Sequence, residues 1–127
     1  MAVKRAEIHA TVTRLLPILT DDHIRQLHDL IYSKPSIERT RMLVAFAEEI
    51  KIGNLKGIDN PSDLVEFLLL FLYDATRALC IRREGLTLGT MVHYHGKVDT
   101  ITKIATDFTL RLKNVTGGIS PLNVQKV

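Results

Sequence analysis

Four cations in the C-terminal third, Lys97, Lys103, Arg111 and Lys113, are the residues whose type and spacing point most directly to chemistry. Lysine and arginine neutralise phosphates and release the counterions condensed on a polyanion, so several of them on one surface form an anion-binding footprint. The charge along this chain is uneven. Residues 1–84 hold 12 basic and 12 acidic side chains, whereas residues 85–127 hold Lys97, Lys103, Arg111, Lys113 and Lys126 against Asp99 and Asp107, so the formal excess of +3 falls entirely on the last third. On an extended strand Arg111 and Lys113 leave the face opposite Phe108, Leu110 and Leu112. A basic stripe is expected there, with Arg82 and Arg83 near its entrance. Nucleic acid is the partner this pattern implies, held through its phosphates with little sequence information. A solvated face whose lysines protect a sheet edge from aggregation accounts for the same charges. Aromatic interleaving of the kind that stacks unpaired bases is thin, because only Tyr94 and Phe108 occur nearby and both suit a core.

The other chemistry-bearing residues are weaker signals. His93 and His95 are two apart on a strand, a spacing from which two imidazoles reach one metal ion, with Asp99 the nearest carboxylate to complete the set. A polar outer strand face explains the same pair, and no metal site is the leading expectation. His9, His23 and His28 fall on helical segments as amphipathic filler. Cys80, the single cysteine, lies in an apolar stretch and reads as a small buried hydrophobe; one cysteine permits neither an internal disulfide framework nor a multi-cysteine zinc site. Glu48 and Glu49 diverge by about 100° on a helix, which is wrong for a paired acid and base. No phosphate-cradling glycine loop, nucleophile elbow or zinc-protease signature occurs. Neither a catalytic residue nor a cofactor is therefore expected.

These residues need elements to position them, and the hydrophobic pattern changes character along the chain. Ile8, Val12, Leu15, Leu16 and Leu19 recur at helical spacing, which predicts a helix over 3–16 ended by Pro17. Thr20 caps a second helix with Asp21 and Asp22 in its first turn and a stripe of Ile24, Leu27, Leu30 and Ile31. A third helix is expected with Pro35 in its first turn, carrying Ile37, Leu43, Val44, Ala47 and Ile50 and stopped by Gly53. After a loop over 53–60, Asn60-Pro61-Ser62-Asp63 starts a fourth helix running to about Arg83. That helix is apolar around most of its circumference and must be covered, by the other three or by a second copy of the chain.

Beyond Gly85 the helical period gives way to β-branched residues and glycine punctuation. Strands are expected over 90–95, 97–104, 107–115 and 119–127. Gly117-Gly118 supplies a tight hairpin, Leu122 and Val124 face the core, and Pro121 confines the last strand to an edge. The pattern Leu88-Gly89-Thr90-Met91-Val92-His93-Tyr94-His95-Gly96-Lys97-Val98, followed by Ile101, Ile104, Phe108-Thr109-Leu110-Arg111-Leu112 and Leu122-Asn123-Val124, resembles the small SH3-like barrels of phage and mobile-element proteins. The resemblance implies a strongly bent small sheet over residues 88–124, with an edge left for the helices or a partner chain to close.

The expectation is thus an α+β chain with about four N-terminal helices (residues 1–84) and a small bent antiparallel SH3-like sheet (residues 85–127) forming one compact unit. It carries no secretory signal and no run near the roughly 20 apolar residues a bilayer requires, so a cytoplasmic protein is expected. The leading function is a non-catalytic binding or regulatory module that holds nucleic acid on Lys97, Lys103, Arg111 and Lys113. The rival is a protein-interaction or self-assembly module, a phage or mobile-element accessory factor, that uses the apolar fourth helix or the open sheet edge.

Overall fold

Helix boundaries follow local hydrogen-bonding chemistry closely. A computed structural model describes residues 5–52 and 61–127. The predicted start of the first helix before Arg5, the Gly53 stop, the loop over 53–60 and the Asn60 cap lie outside the described residues. Four helices are present: α1 (Arg5–Leu15), α2 (Asp21–Ile31), α3 (Ile37–Glu49) and α4 (Pro61–Glu84). Thr20 opens α2 with a reciprocal capping box. Its hydroxyl accepts from the His23 amide at 3.2 Å, and its own amide donates to Nδ1 of His23 at 3.1 Å. Histidine here takes the place usually filled by Glu or Gln. At α3 the cap is Ser36, whose hydroxyl accepts from the Arg39 amide at 3.0 Å, so Pro35 precedes the helix instead of occupying its first turn. Ile37, expected in the buried stripe, is 75% exposed.

The chain divides into two compact units, Met1–Ala75 and Thr76–Val127, with the boundary inside α4. In the first unit, Ile8, Val12, Leu15 and Leu19 bury the predicted stripe of α1, and Leu27, Leu43, Phe46, Leu68 and Phe71 are close to fully buried with them. Carbonyls at or just beyond the C-terminal ends of α2 and α3 accept from arginines on other helices of the unit. Arg14 donates to the carbonyls of Lys51 and Ile52 just after α3, and Arg39 donates to those of Ile31 and Ser33 at the end of α2. His9 donates through Nδ1 to the buried carboxylate of Asp74 on α4, which gives that charge a partner away from water.

The second unit holds the last turns of α4 and a four-stranded antiparallel sheet in the order β3-β2-β1-β4, formed by β1 (Met91–Tyr94), β2 (Lys97–Ile104), β3 (Leu110–Leu112) and β4 (Gln125–Lys126). β1 and β2 are joined by His95-Gly96, both at positive φ (48° and 78°), as a two-residue type I′ hairpin turn requires. The inner face buries Val92, Ile101, Leu110, Leu112 and Ile119 with Leu86, and Ile81 from α4 packs against this cluster.

Three expectations for the strands are corrected. Phe108 does not share a face with Leu110 and Leu112; it sits at φ 65° in the turn between β2 and β3, where the Asp107 carboxylate accepts from the amide and hydroxyl of Thr109. Gly117-Gly118 does not close a tight hairpin, since Ile119 bridges Leu110 across a longer loop. The predicted strand over 119–127 is broken: Pro121–Asn123 form a 3-10 turn capped by Ser120, Pro121 is buried within it, Leu122 is 55% exposed, and only Gln125–Lys126 form a strand, pairing with β1. Val124 alone of the expected pair packs against the core.

Candidate polyanion-binding face

The outer face of the sheet is set by register. Residues paired across antiparallel strands project to the same side, so Val92↔Asp99 places the Asp99 side chain inward beside the buried Val92, while Met91↔Thr100 and His93↔Val98 place those four outward. On β3, Leu110 and Leu112 are buried and Arg111 is exposed between them. Simple alternation from Ile101 would then send Lys103 inward. It does not, because the β2–β3 register shifts between Ile101 and Lys103: Ile101 pairs with Leu112, but Lys103 pairs with Arg111 and Ile104 with Leu110. Thr102 is the extra residue of a β-bulge, and it restores Ile104 to the core while turning Lys103 outward, directly across from Arg111. Side chains so paired start about 5 Å apart at Cβ. Lys113 continues the alternation beyond Leu112, is exposed, and its amide donates to the Thr100 carbonyl at 3.0 Å, so its backbone is still held to β2.

Three of the six cations singled out from the sequence therefore share one face: Lys103, Arg111 and Lys113. The structure separates the other three from them. Lys97 is opposite Tyr94, in the inward phase of β2, and reaches solvent only because it lies at the hairpin end. Arg82 and Arg83 belong to the end of α4 whose Ile81 covers the inner face, and Arg83 donates to the Glu84 carboxylate at 3.3 Å. Lys126 is in the inward phase as well, paired with Val92.

Asp99 is turned away from the outer face, and Asp107 is held in the turn between β2 and β3. Asp99 is 7% exposed and accepts from the Asn114 amide at 3.1 Å, the Asn114 side-chain amide at 3.3 Å and the Thr100 amide at 2.7 Å. Asp107 is engaged in its turn with Thr109, and the adjoining carbonyl accepts from Nε of Arg77 at 2.9 Å. Among the described residues no carboxylate lies within ion-pair distance of Lys103, Arg111 or Lys113. The face thus presents three cations that no described carboxylate pairs with.

Other candidate chemistry is dispersed. His93 lies on the outer face, His95 leaves the strand in the I′ turn with its ring against Tyr94, and Asp99 points inward, so the proposed metal trio is not assembled. Among the described residues no three histidine, cysteine or acidic side chains converge on a metal-sized site. Cys80 is buried, and that burial pushes its thiol pKa up against the lowering influence of Arg83. The residues that sequence reasoning passed over are Met91 and Val98, large apolar side chains 51% and 46% exposed on the same outer face as the cations. Their signal was present, since fixing Val92 as the buried residue of β1 forces Met91 outward, and pairing through the Gly96 turn carries Val98 with it.

The chain is therefore an α+β protein with four described helices and a four-stranded antiparallel open sheet. No protein-family model matches it, and no curated protein or solved structure does either. No helix among the described residues is long and apolar enough to cross a membrane.

Proposed function

We propose that this protein is a non-catalytic binding module that holds an anionic polymer, nucleic acid, on the outer face of its sheet. The observation that carries the reading is the cross-strand juxtaposition of Lys103 and Arg111, with Lys113 beside them and, among the described residues, no carboxylate within ion-pair distance. Cations grouped in this way serve phosphates better than they serve the fold, since like charges directly opposite on a sheet are destabilising. Arginine adds a planar fork that grips two phosphate oxygens, and lysine adds mobile point charges. An SH3-like barrel is the finer fold in this proposal; the bulge that bends β2, the 3-10 turn and the return of β4 to β1 support it.

Of the apolar stretch of α4 that suggested an assembly module, Phe67 to Tyr73, Phe67, Leu68, Phe71 and Leu72 are buried within the chain itself, Leu69 and Leu70 are half-buried and Tyr73 is exposed. This favours the binding reading over self-association through that helix and leaves the open sheet edge to the assembly reading. Light scattering with and without a short oligonucleotide tests it. Binding predicts added mass at low salt that disappears at high salt. Growth of the particle with protein concentration, indifferent to salt and oligonucleotide, identifies an assembly module instead.

A further inference from the structure

Resting on that reading, we infer that the ligand is a single-stranded nucleic acid, aligned with its phosphates along β3 and its bases over β1 and β2. The outer face is two-sided. Its cations lie on the β3 side, where Lys103 and Arg111 pair across strands and Lys113 follows Arg111 by two residues. Two residues of strand advance about 7 Å. That step is close to the separation of successive phosphates on one nucleic-acid strand, so Arg111 and Lys113 match neighbouring phosphates and Lys103 doubles the charge on one of them.

The centre of the face is apolar and exposed. Met91 and Val98 lie there with Thr100 and the imidazole of His93, all placed outward by the β1–β2 register. A duplex carries phosphates along both rims of each groove and hides its base faces in the stack, so laying one over this sheet would bring charged oxygens towards Met91 and Val98 and offer them no base face. An unpaired strand carries charge along one side and flat apolar base surfaces along the other, which is the same division the sheet shows. Bases gain by covering apolar and ring surfaces whatever their identity. The contacts available are to phosphate and base faces, so the expected ligand is unpaired DNA or RNA without strong sequence preference.

Fluorescence anisotropy on the full chain tests this with labelled oligothymidylate, oligouridylate of the same length, and a duplex. The two single strands are expected to bind alike and at least about tenfold more tightly than the duplex. Two neighbouring phosphates neutralised on a single strand give a slope of log affinity against log salt of about −1.4, and K103Q/R111Q, which leaves Lys113 on one phosphate, is expected to flatten it to about −0.7. M91S/V98S is expected to weaken single-strand binding while leaving the salt slope intact. All four positions are exposed, and circular dichroism confirms that each variant retains the fold. Duplex binding as tight as single-strand binding, with M91S/V98S without effect, overturns the inference while the broader reading stands. Equal competition by polyglutamate overturns it too, because the face is then a general polyanion site. Failure of the intact chain to bind any of the three nucleic acids overturns both.

Discussion

Asp99 is the residue whose placement matters most to the charge of the sheet. Pairing with Val92 takes its carboxylate out of water and away from the cations, and two donors from Asn114 with one from Thr100 replace the lost hydration. Asp99→Ala removes the buried acceptor of those three part-buried donors. It is expected to destabilise the second unit by about 1–2 kcal/mol, read from the denaturant midpoint, with Asp99→Asn costing less. Cys80 yields a second expectation. Burial raises its thiol pKa in the folded chain, so the unfolded chain ionises first as pH rises, and the stability this contributes is complete below the unfolded thiol's pKa and is lost above it. Alkaline pH should lower the denaturation midpoint less in Cys80→Ala than in the parent, and native Cys80 should react with a disulfide reagent far more slowly than a free thiol. Of the candidate site, Arg111 and Lys113 were legible from alternation alone. Lys103 was named as a cation, but its direction was not readable, because Thr102 is a β-branched residue that looks the same in a regular strand and in a bulge.

The elements divide between those specified locally and those specified by tertiary pairing. α2 was readable from Thr20-Asp21-Asp22, since a cap and an acidic first turn are local chemistry. The β1–β2 hairpin was readable from Gly96 for the same reason. Gly96 sits at φ 78° with open space where a Cβ would project, so the cost of Gly96→Ala is backbone strain with no clash, about 1–2 kcal/mol, measurable as a lower melting temperature. The C-terminal segment was not readable. Its residues alternate well enough for one strand, yet Ser120 caps a turn at Pro121, and the short remaining strand finds β1 instead of β3. Partner choice between strands distant in sequence is decided by packing of the inner face, which local pattern does not encode.

At the scale of the molecule, composition and packing place the boundary differently. Residue types change at Gly85, but the units divide between Ala75 and Thr76, because α4 continues through both and its last turns supply Ile81 to the β core. A fragment beginning at residue 85 loses that cover and is expected to give a collapsed amide spectrum, whereas one beginning at residue 76 should show dispersed resonances. Well-dispersed signals from the shorter piece would show that α4 is dispensable to the sheet. The α+β class and helix count were legible in the sequence, while the position of this division was not, since a continuous helix carries no punctuation where its environment changes.

The chain has no tryptophan and three tyrosines. Tyr32 and Tyr73 share a hydroxyl–hydroxyl hydrogen bond of 3.1 Å in the first unit, and Tyr94 packs against the core of the second. The intrinsic ultraviolet emission of the protein is therefore already divided: Tyr94→Phe leaves only light from the helical unit, and Tyr32→Phe with Tyr73→Phe leaves only light from the sheet. Each half carries its own optical reporter, so the melting of one can be followed apart from the other without attaching a dye.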